Sequence, residues 1–205
     1  MDNTTNRIIL CGELASMPEY SHDNHGKAFY RFALDVERLS GTVDTLQVLA
    51  SGSVLDSFDL SGGPMLRIDG QIRSFNNRST VGRKLLISVF AQSIEACDGP
   101  AENQAEVTGA LCREPVFRQT PLGRDICDIM LAVPRLYRRT DYLPCILWGR
   151  TAKEAASLPV GTTLHVAGRL QSRQYIKILD SGSEKRIAYE LSAIDAIPIL
   201  SGSCE

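Results

Sequence analysis

Residues 129–150 read IMLAVPRLYRRTDYLPCILWGR. Two apolar runs, 129–133 and 144–148, have strand composition and enclose a short polar connection that carries Tyr137, Arg138, Arg139 and Tyr142. The pattern predicts a β-hairpin with exposed aromatic rings and guanidinium groups. Such a surface suits flat, negatively charged polymers, because bases stack on ring faces while guanidinium groups hold phosphates, and neither contact requires a base sequence. On one hairpin alone, Tyr and Trp read sooner as ordinary cross-strand packing. The rest of the chain shifts that balance.

Outward from the hairpin, the sequence repeats itself. Gly12, Leu14 and Pro18 fall on Gly109, Leu111 and Pro115 at an offset of 97, which also carries Leu34 onto Leu131 and Gly52 onto Gly149. With one more residue, Gly70-Gln71-Ile72-Arg73-Ser74 falls on Gly168-Arg169-Leu170-Gln171-Ser172. Matches in one register predict a duplication, hence two like domains over residues 1–98 and 103–199 with a short polar connection at 98–103. Each unit reads as strand, Gly-containing turn, strand, polar connection, strand, short helix, strand, hairpin, strand. The predicted strands are 7–14, 28–36, 45–51, 65–72 and 84–90, then 105–111, 126–133, 143–148, 163–170 and 187–193; the helical segments are 54–60 and 151–158. Mid-strand glycines allow a sheet to coil sharply, so the expected fold is all-β. Two tandem five-stranded barrels of the oligonucleotide/oligosaccharide-binding (OB) type follow, each with one short helix between its third and fourth strands.

Composition bounds the function. The chain is 43% hydrophobic and 22% charged, and its apolar runs are far shorter than the roughly 20 residues that span a bilayer. The N-terminus MDNTTNR lacks the pattern of a secretory signal, so a cytoplasmic protein is expected. Net charge is −2, yet it divides unevenly: residues 1–102 hold nine Lys/Arg against thirteen Asp/Glu, and residues 103–205 hold thirteen against eleven. The second half has the charge for an anionic partner. Six cysteines without a C-x-x-C pair read as reduced, mostly buried thiols and not as a disulfide framework or zinc site. His22, Asp23 and His25 read as a solvated turn, not a metal set, and His165 as part of a barrel wall. No phosphate-binding loop, nucleophile elbow or metalloprotease helix motif occurs, so no catalytic residue, metal or cofactor is expected.

At this point the sequence resembles the bacterial single-stranded DNA-binding protein family. The opening N-x-I-x-L-x-G-x-L…P pattern is met by Asn6, Ile8, Leu10, Gly12, Leu14 and Pro18; the end of the third strand by Ile146-Leu147-Trp148-Gly149-Arg150; and the fourth-strand motif by Val166 through Tyr175. Tandem copies over nearly the whole chain look like the subset with two OB domains per polypeptide. The resemblance implies base stacking on Tyr137, Tyr142, Trp148 and Tyr175, whereas the matching residues of the first copy are Ser40, Thr45, Ser51 and Asn77. It implies a division of labour in which the second barrel binds the strand and the first scaffolds or dimerises; displaced Phe75 and Tyr30 offer the first barrel a different platform. Arg118, Arg124, Arg135, Arg138, Arg139, Arg150, Arg173 and Lys177 flank the expected platform. If about four to six cations reach phosphates, a log–log salt slope of about −3 to −4 follows. Lys185 and Arg186, like Arg78, Arg83 and Lys84 in the first copy, are secondary candidates.

The resemblance further implies single-stranded DNA as partner, a homodimer bringing four OB domains together, and roles in replication, recombination or repair. The long tail with an acidic tip that recruits enzymes in relatives has no counterpart after LSGSCE, which fits a specialised or accessory member, including one encoded on a mobile element. Two other readings stay open. Single-stranded RNA satisfies the same stacking chemistry, and an OB-based adaptor, primosome-like, would use the aromatics as anchors for protein partners.

Overall fold

A computed structural model describes residues 5–56, 58–76, 85–179 and 182–199, without the side chains of Lys177 and Leu179. Alternation of apolar and polar residues sets the strands. In β1 (Asn6–Leu14), Ile8 and Leu10 are fully buried while Arg7 faces solvent. The first half continues with β2 (Glu19–Asn24), β3 (Lys27–Glu37), β4 (Val43–Ser51), helix α1 (Gly52–Leu55), β5 (Met65–Asn76) and β6 (Leu85–Ala96). The second half holds β7 (Glu102–Leu111), β8 (Val116–Gln119), β9 (Asp125–Pro134), a 3-10 turn (Leu136–Arg138), β10 (Thr140–Trp148), helix α2 (Gly149–Ala155), β11 (Thr163–Leu179) and β12 (Gly182–Pro198).

Five strands of each half close on themselves. β1 pairs with β5 and β3, β5 with β6, β4 with β3, and a short parallel contact of β4 with β6 completes the ring. The second half repeats this ring as β7, β11, β12, β10 and β9. These are two OB barrels, with a helix between the third and fourth ring strands of each. Their closure depends on Gly12, Gly70, Gly109 and Gly168, where a Cβ would collide with the backbone carbonyls of Asp35, Phe90, Ala132 and Ser192.

Several details differ from the sequence reading; helix α1 spans Gly52–Leu55 instead of 54–60, and β5 and β6 run past their predicted ends. Strands β2 and β8 were not expected; every side chain in them is exposed, so no alternation marks them, and they are held by backbone pairing to β3 and β9. β11 and β12 extend well past the predicted bounds as a long hairpin. Glu102 and Asn103 belong to β7, paired with Cys11 and Leu10, so the connection between barrels is shorter than predicted. The cysteine reading also needs correction. Cys11 and Cys97 are disulfide-bonded, their Cα atoms 6.1 Å apart, because the end of β6 returns beside β1 and joins residues 86 positions apart. Cys127 and Cys145 are buried free thiols and Cys112 is exposed; Cys204 lies outside the described residues.

The barrels share one sheet and one core. β1 and β7 run antiparallel from Asn6 opposite Val107 to Cys11 opposite Glu102, and Arg67 pairs with Glu102 at 2.7 Å across the junction. Two buried carboxylates tie the barrels further. Asp44 of barrel 1 accepts hydrogen bonds from the Ser172 N–H (2.7 Å) and hydroxyl (3.0 Å) of barrel 2, and from Arg38 at 2.6 Å through both Nε and Nη2. Asp141 of barrel 2 accepts from the Ser74 N–H (2.7 Å) and Arg73 (2.9 Å) of barrel 1, and from Arg135 at 3.3 Å. Both carboxylates have no exposed surface.

Burial works to raise the pKa of Asp44, but the Arg38 guanidinium and the Ser172 donors outweigh it and hold the group below the usual carboxylate range. A depressed pKa contributes stability that is present above the unfolded-state value near 4 and is lost as pH falls through the lower folded value. Acid titration is therefore expected to weaken the junction only below about pH 4, and Asp44→Asn to remove that acid-sensitive component; an equal acid midpoint in the variant would rule Asp44 out as its source.

Candidate nucleic-acid interface

The hairpin 129–150 forms as predicted, β9 against β10 from Ile126 opposite Trp148 to Pro134 opposite Thr140. On β10, residues 143, 145 and 147 enter the core, so Tyr142 and Trp148 share the outer face and remain 46% and 37% exposed. Six residues of strand separate them by about 20 Å, room for several nucleotides. The Trp148 indole N–H donates to the Ser192 hydroxyl at 3.1 Å, which fixes the ring against β12.

From Ser192 the same face continues along β12 through Glu190 and Ala188 to Arg186. Antiparallel partners share a face, so Tyr175, opposite Arg186, and Arg173, opposite Ala188, lie on it too. Arg173 lies over the Tyr175 ring at 6.0 Å. On the other side, Arg118 of β8 pairs with Ile126, which pairs with Trp148, and so completes a row across three strands.

Tyr137 is set apart at the tip, 92% exposed. Its backbone and that of Arg138 occupy the left-handed region, φ 59° and 55°. The loop is closed by Arg135 N–H donating to the Arg139 carbonyl at 2.8 Å, as Arg38 does to Thr42 in barrel 1. There the left-handed position is Gly41, the counterpart of Arg138. A non-glycine residue in this region costs on the order of 1–3 kcal/mol, and such strain gathers at functional sites. The strained turn holds Tyr137 and Arg138 out into solvent.

The sequence-predicted cations divide into two groups. Arg118 pairs with Asp128 at 2.7 Å, Arg135 with Asp141 at 3.3 Å, Arg150 with Glu154 at 3.7 Å and Arg173 with Glu190 at 3.5 Å. Arg124, Arg138 and Arg139 have no side-chain partner among the described residues, and the side chain of Lys177 lies outside them. Sequence reasoning missed the acidic half of this surface: Glu190 is nearly buried between Arg173 and Gln171, whose amide donates to it at 3.0 Å.

Barrel 1 presents a different face. Ser40, Thr45 and Ser51 stand at the matching positions, and Asn77 lies outside the described residues, as do Arg78, Arg83 and Lys84. Phe75 borders a groove of about 560 Å³ between the barrels with Arg31, Leu86, Arg186 and Ile187, whereas Tyr30 packs edge-on to Tyr20 at 6.1 Å and does not line it. The structure therefore does not bring Phe75 and Tyr30 into one platform. His22 stacks on Phe29 at 5.3 Å, and the described residues contain no cluster of three His, Cys, Asp or Glu placed to hold a metal.

Comparison with known proteins bears on the same half. The model of the single-strand binding protein family matches residues 102–196. Over 80 residues the chain is 34% identical to single-stranded DNA-binding protein B of Bacillus subtilis (strain 168), covering 36% of this chain and 71% of that protein. The chain belongs to the single-strand binding protein family. A second family relative, the single-stranded DNA-binding protein of Halalkalibacterium halodurans, is 34% identical over 80 residues; the match spans 36% of this chain and about half, 48%, of that protein. A solved family structure, a deletion variant of the single-stranded DNA binding protein from Thermus aquaticus, superposes with a TM-score of 0.76 at 25% identity, covering 95% of this chain and 94% of that one. The likeness extends through both barrels. No helix among the described residues is long and apolar enough to cross a membrane.

Proposed function

We propose that this chain binds single-stranded DNA without base-sequence preference, through barrel 2, and shields the strand in replication, recombination or repair in the cytoplasm without altering it chemically. The observation that carries this reading is the contrast at matched positions. Barrel 2 has Tyr137, Tyr142 and Trp148 exposed where barrel 1 has Ser40, Thr45 and Ser51. Tyr175 and Arg173 extend the same outer face, with Arg118, Arg124, Arg135, Arg138, Arg139 and Arg150 around it and Lys177 assigned to it from the sequence alone. Residues 1–98 act as the scaffolding or dimerising half and 103–199 as the binding half, with two copies bringing four OB domains together. Stacking supplies most of the affinity, because four of the candidate arginines are already paired with carboxylates.

That pairing sets a quantitative expectation. Single strands give about −0.7 in log–log salt slope per neutralised phosphate, so three unpaired arginines predict a slope near −2 instead of the roughly −5 of seven independent cations. The test is a titration with oligothymidine and the equivalent RNA over a salt series, followed by fluorescence of Trp148, the one tryptophan. Strong quenching by DNA with a shallow slope supports the reading. Equal quenching by RNA would make the protein a general single-strand binder. No quenching and no salt-sensitive binding at low micromolar protein would overturn it and make the aromatics anchors for a protein partner.

A further inference from the structure

We infer that Arg73, Ser74 and Asp44 of barrel 1 are positioning residues for strand binding by barrel 2: they hold its stacking platform from across the barrel junction. The inference deepens the strand-binding reading and rests on it.

The platform is tied to barrel 1 at both ends. At one end, the Tyr142 N–H donates to the Ser74 hydroxyl at 2.8 Å, and the Ser74 N–H donates to Asp141, the residue before Tyr142. Asp141 in turn accepts from Arg135, which begins the strained turn carrying Tyr137 and Arg138. Arg73 holds the other oxygen of Asp141 at 2.9 Å. At the opposite end, Asp44 grips Ser172, the residue before Arg173, and Arg38 donates to the Ser172 carbonyl at 3.2 Å. Thus one backbone neighbour of Tyr142 and one of Arg173 are both fixed by the barrel that lacks a platform.

The two clamps are related by the repeat but are unequal. Arg38, Asp44 and Ser172 correspond to Arg135, Asp141 and Ser74. Where barrel 1 sends Arg73 to Asp141, barrel 2 has Gln171, which turns away to Glu190. The bond from Tyr142 to Ser74 likewise has no counterpart at Thr45 among the described residues. A clamp serving only to join the barrels would need neither addition. Both additions lie on the side that supports Tyr137, Tyr142 and Arg135, whereas the one bond peculiar to the Asp44 clamp, Arg38 to the Ser172 carbonyl, lies beside Arg173.

The test uses the full chain with Ser74→Ala, oligothymidine binding by Trp148 quenching, and urea unfolding in parallel. Losing one hydrogen bond of this kind is expected to weaken strand binding about two- to tenfold. Ser74→Thr, which keeps the hydroxyl, restores it. In a Tyr142→Ala background, Ser74→Ala is expected to have a clearly smaller effect on affinity than in the wild-type chain, a non-additivity that lost stability alone would not produce. Arg73→Gln, which copies Gln171 at the matched position, is an independent variant expected to lose affinity to the same order. A wild-type chain that fails to bind overturns the strand-binding reading and this inference together. A wild-type chain that binds, with both variants unchanged in affinity or fully additive with Tyr142→Ala, overturns this inference alone.

Discussion

Asp141→Ala is expected to lower the unfolding free energy by about 3–5 kcal/mol, the usual consequence of removing one partner from a buried ionic cluster. The size follows from what remains. Arg73 and Arg135 are only 16% and 21% exposed at their side chains, and both donate to this carboxylate. Without it, two guanidinium groups face each other in a largely dry junction, where Arg73 already depresses the pKa of Arg135 after burial itself. The Ser74 N–H loses its acceptor as well. Asp44→Ala removes the acceptor of one guanidinium, Arg38, and of the two Ser172 donors, so it is expected to fall at the lower end of the same range. Urea unfolding of both variants checks this. A loss below about 1 kcal/mol for Asp141→Ala would mean that water or a neighbouring anion compensates the arginines, and that the junction is held chiefly by the β1–β7 ladder and the shared core.

What the sequence disclosed depended on whether a pattern leaves a trace in one dimension. The hairpin 129–150 did, because two apolar runs, 129–133 and 144–148, bracket a short polar connection. The duplication did, because the glycines that admit a carbonyl at Asp35 and Ala132 tolerate no side chain in either copy. β2 and β8 left none, since strands exposed on both faces have no period to read. The disulfide between Cys11 and Cys97 depends on the chain's return path, not on spacing. The clamps fall between these cases. The repeat offset already aligned Arg38 and Asp44 with Arg135 and Asp141, and Ser74 with Ser172, but an Arg and an Asp near a loop look solvated until the second barrel is placed over them. The acids Asp128 and Glu190 were invisible for a further reason. Their meeting with Arg118 and Arg173 depends on strand register, and a one-residue slip would turn each to the opposite face.

Tyr142→Ala combined with Trp148→Ala is expected to abolish measurable strand binding at low micromolar protein while leaving the fold in place. Each stacked aromatic contributes about 1–3 kcal/mol, so the pair accounts for about 2–6 kcal/mol if additive, or about 30-fold to over 10⁴-fold in affinity. Electrostatics cannot make up the difference, since Arg118, Arg135, Arg150 and Arg173 are held by carboxylates and a phosphate must displace them. Both rings are partly exposed, and the main interior tie is the indole bond to Ser192, so the stability loss should be modest beside the binding loss. Because the variant lacks the tryptophan, polarisation of a labelled oligothymidine is the readout, with Thr45→Ala/Ser51→Ala as the matched pair in barrel 1. That control is expected to stay within about twofold of wild type, as half-buried small polar residues offer no stacking face. The opposite result, a small loss in the aromatic variant with a large one in the control, would move the strand off the β10 face and into barrel 1. The groove that Phe75 borders with Arg31 and Leu86 would then be its path, and the resemblance at matched aromatic positions would be a relic of the duplication instead of the working site.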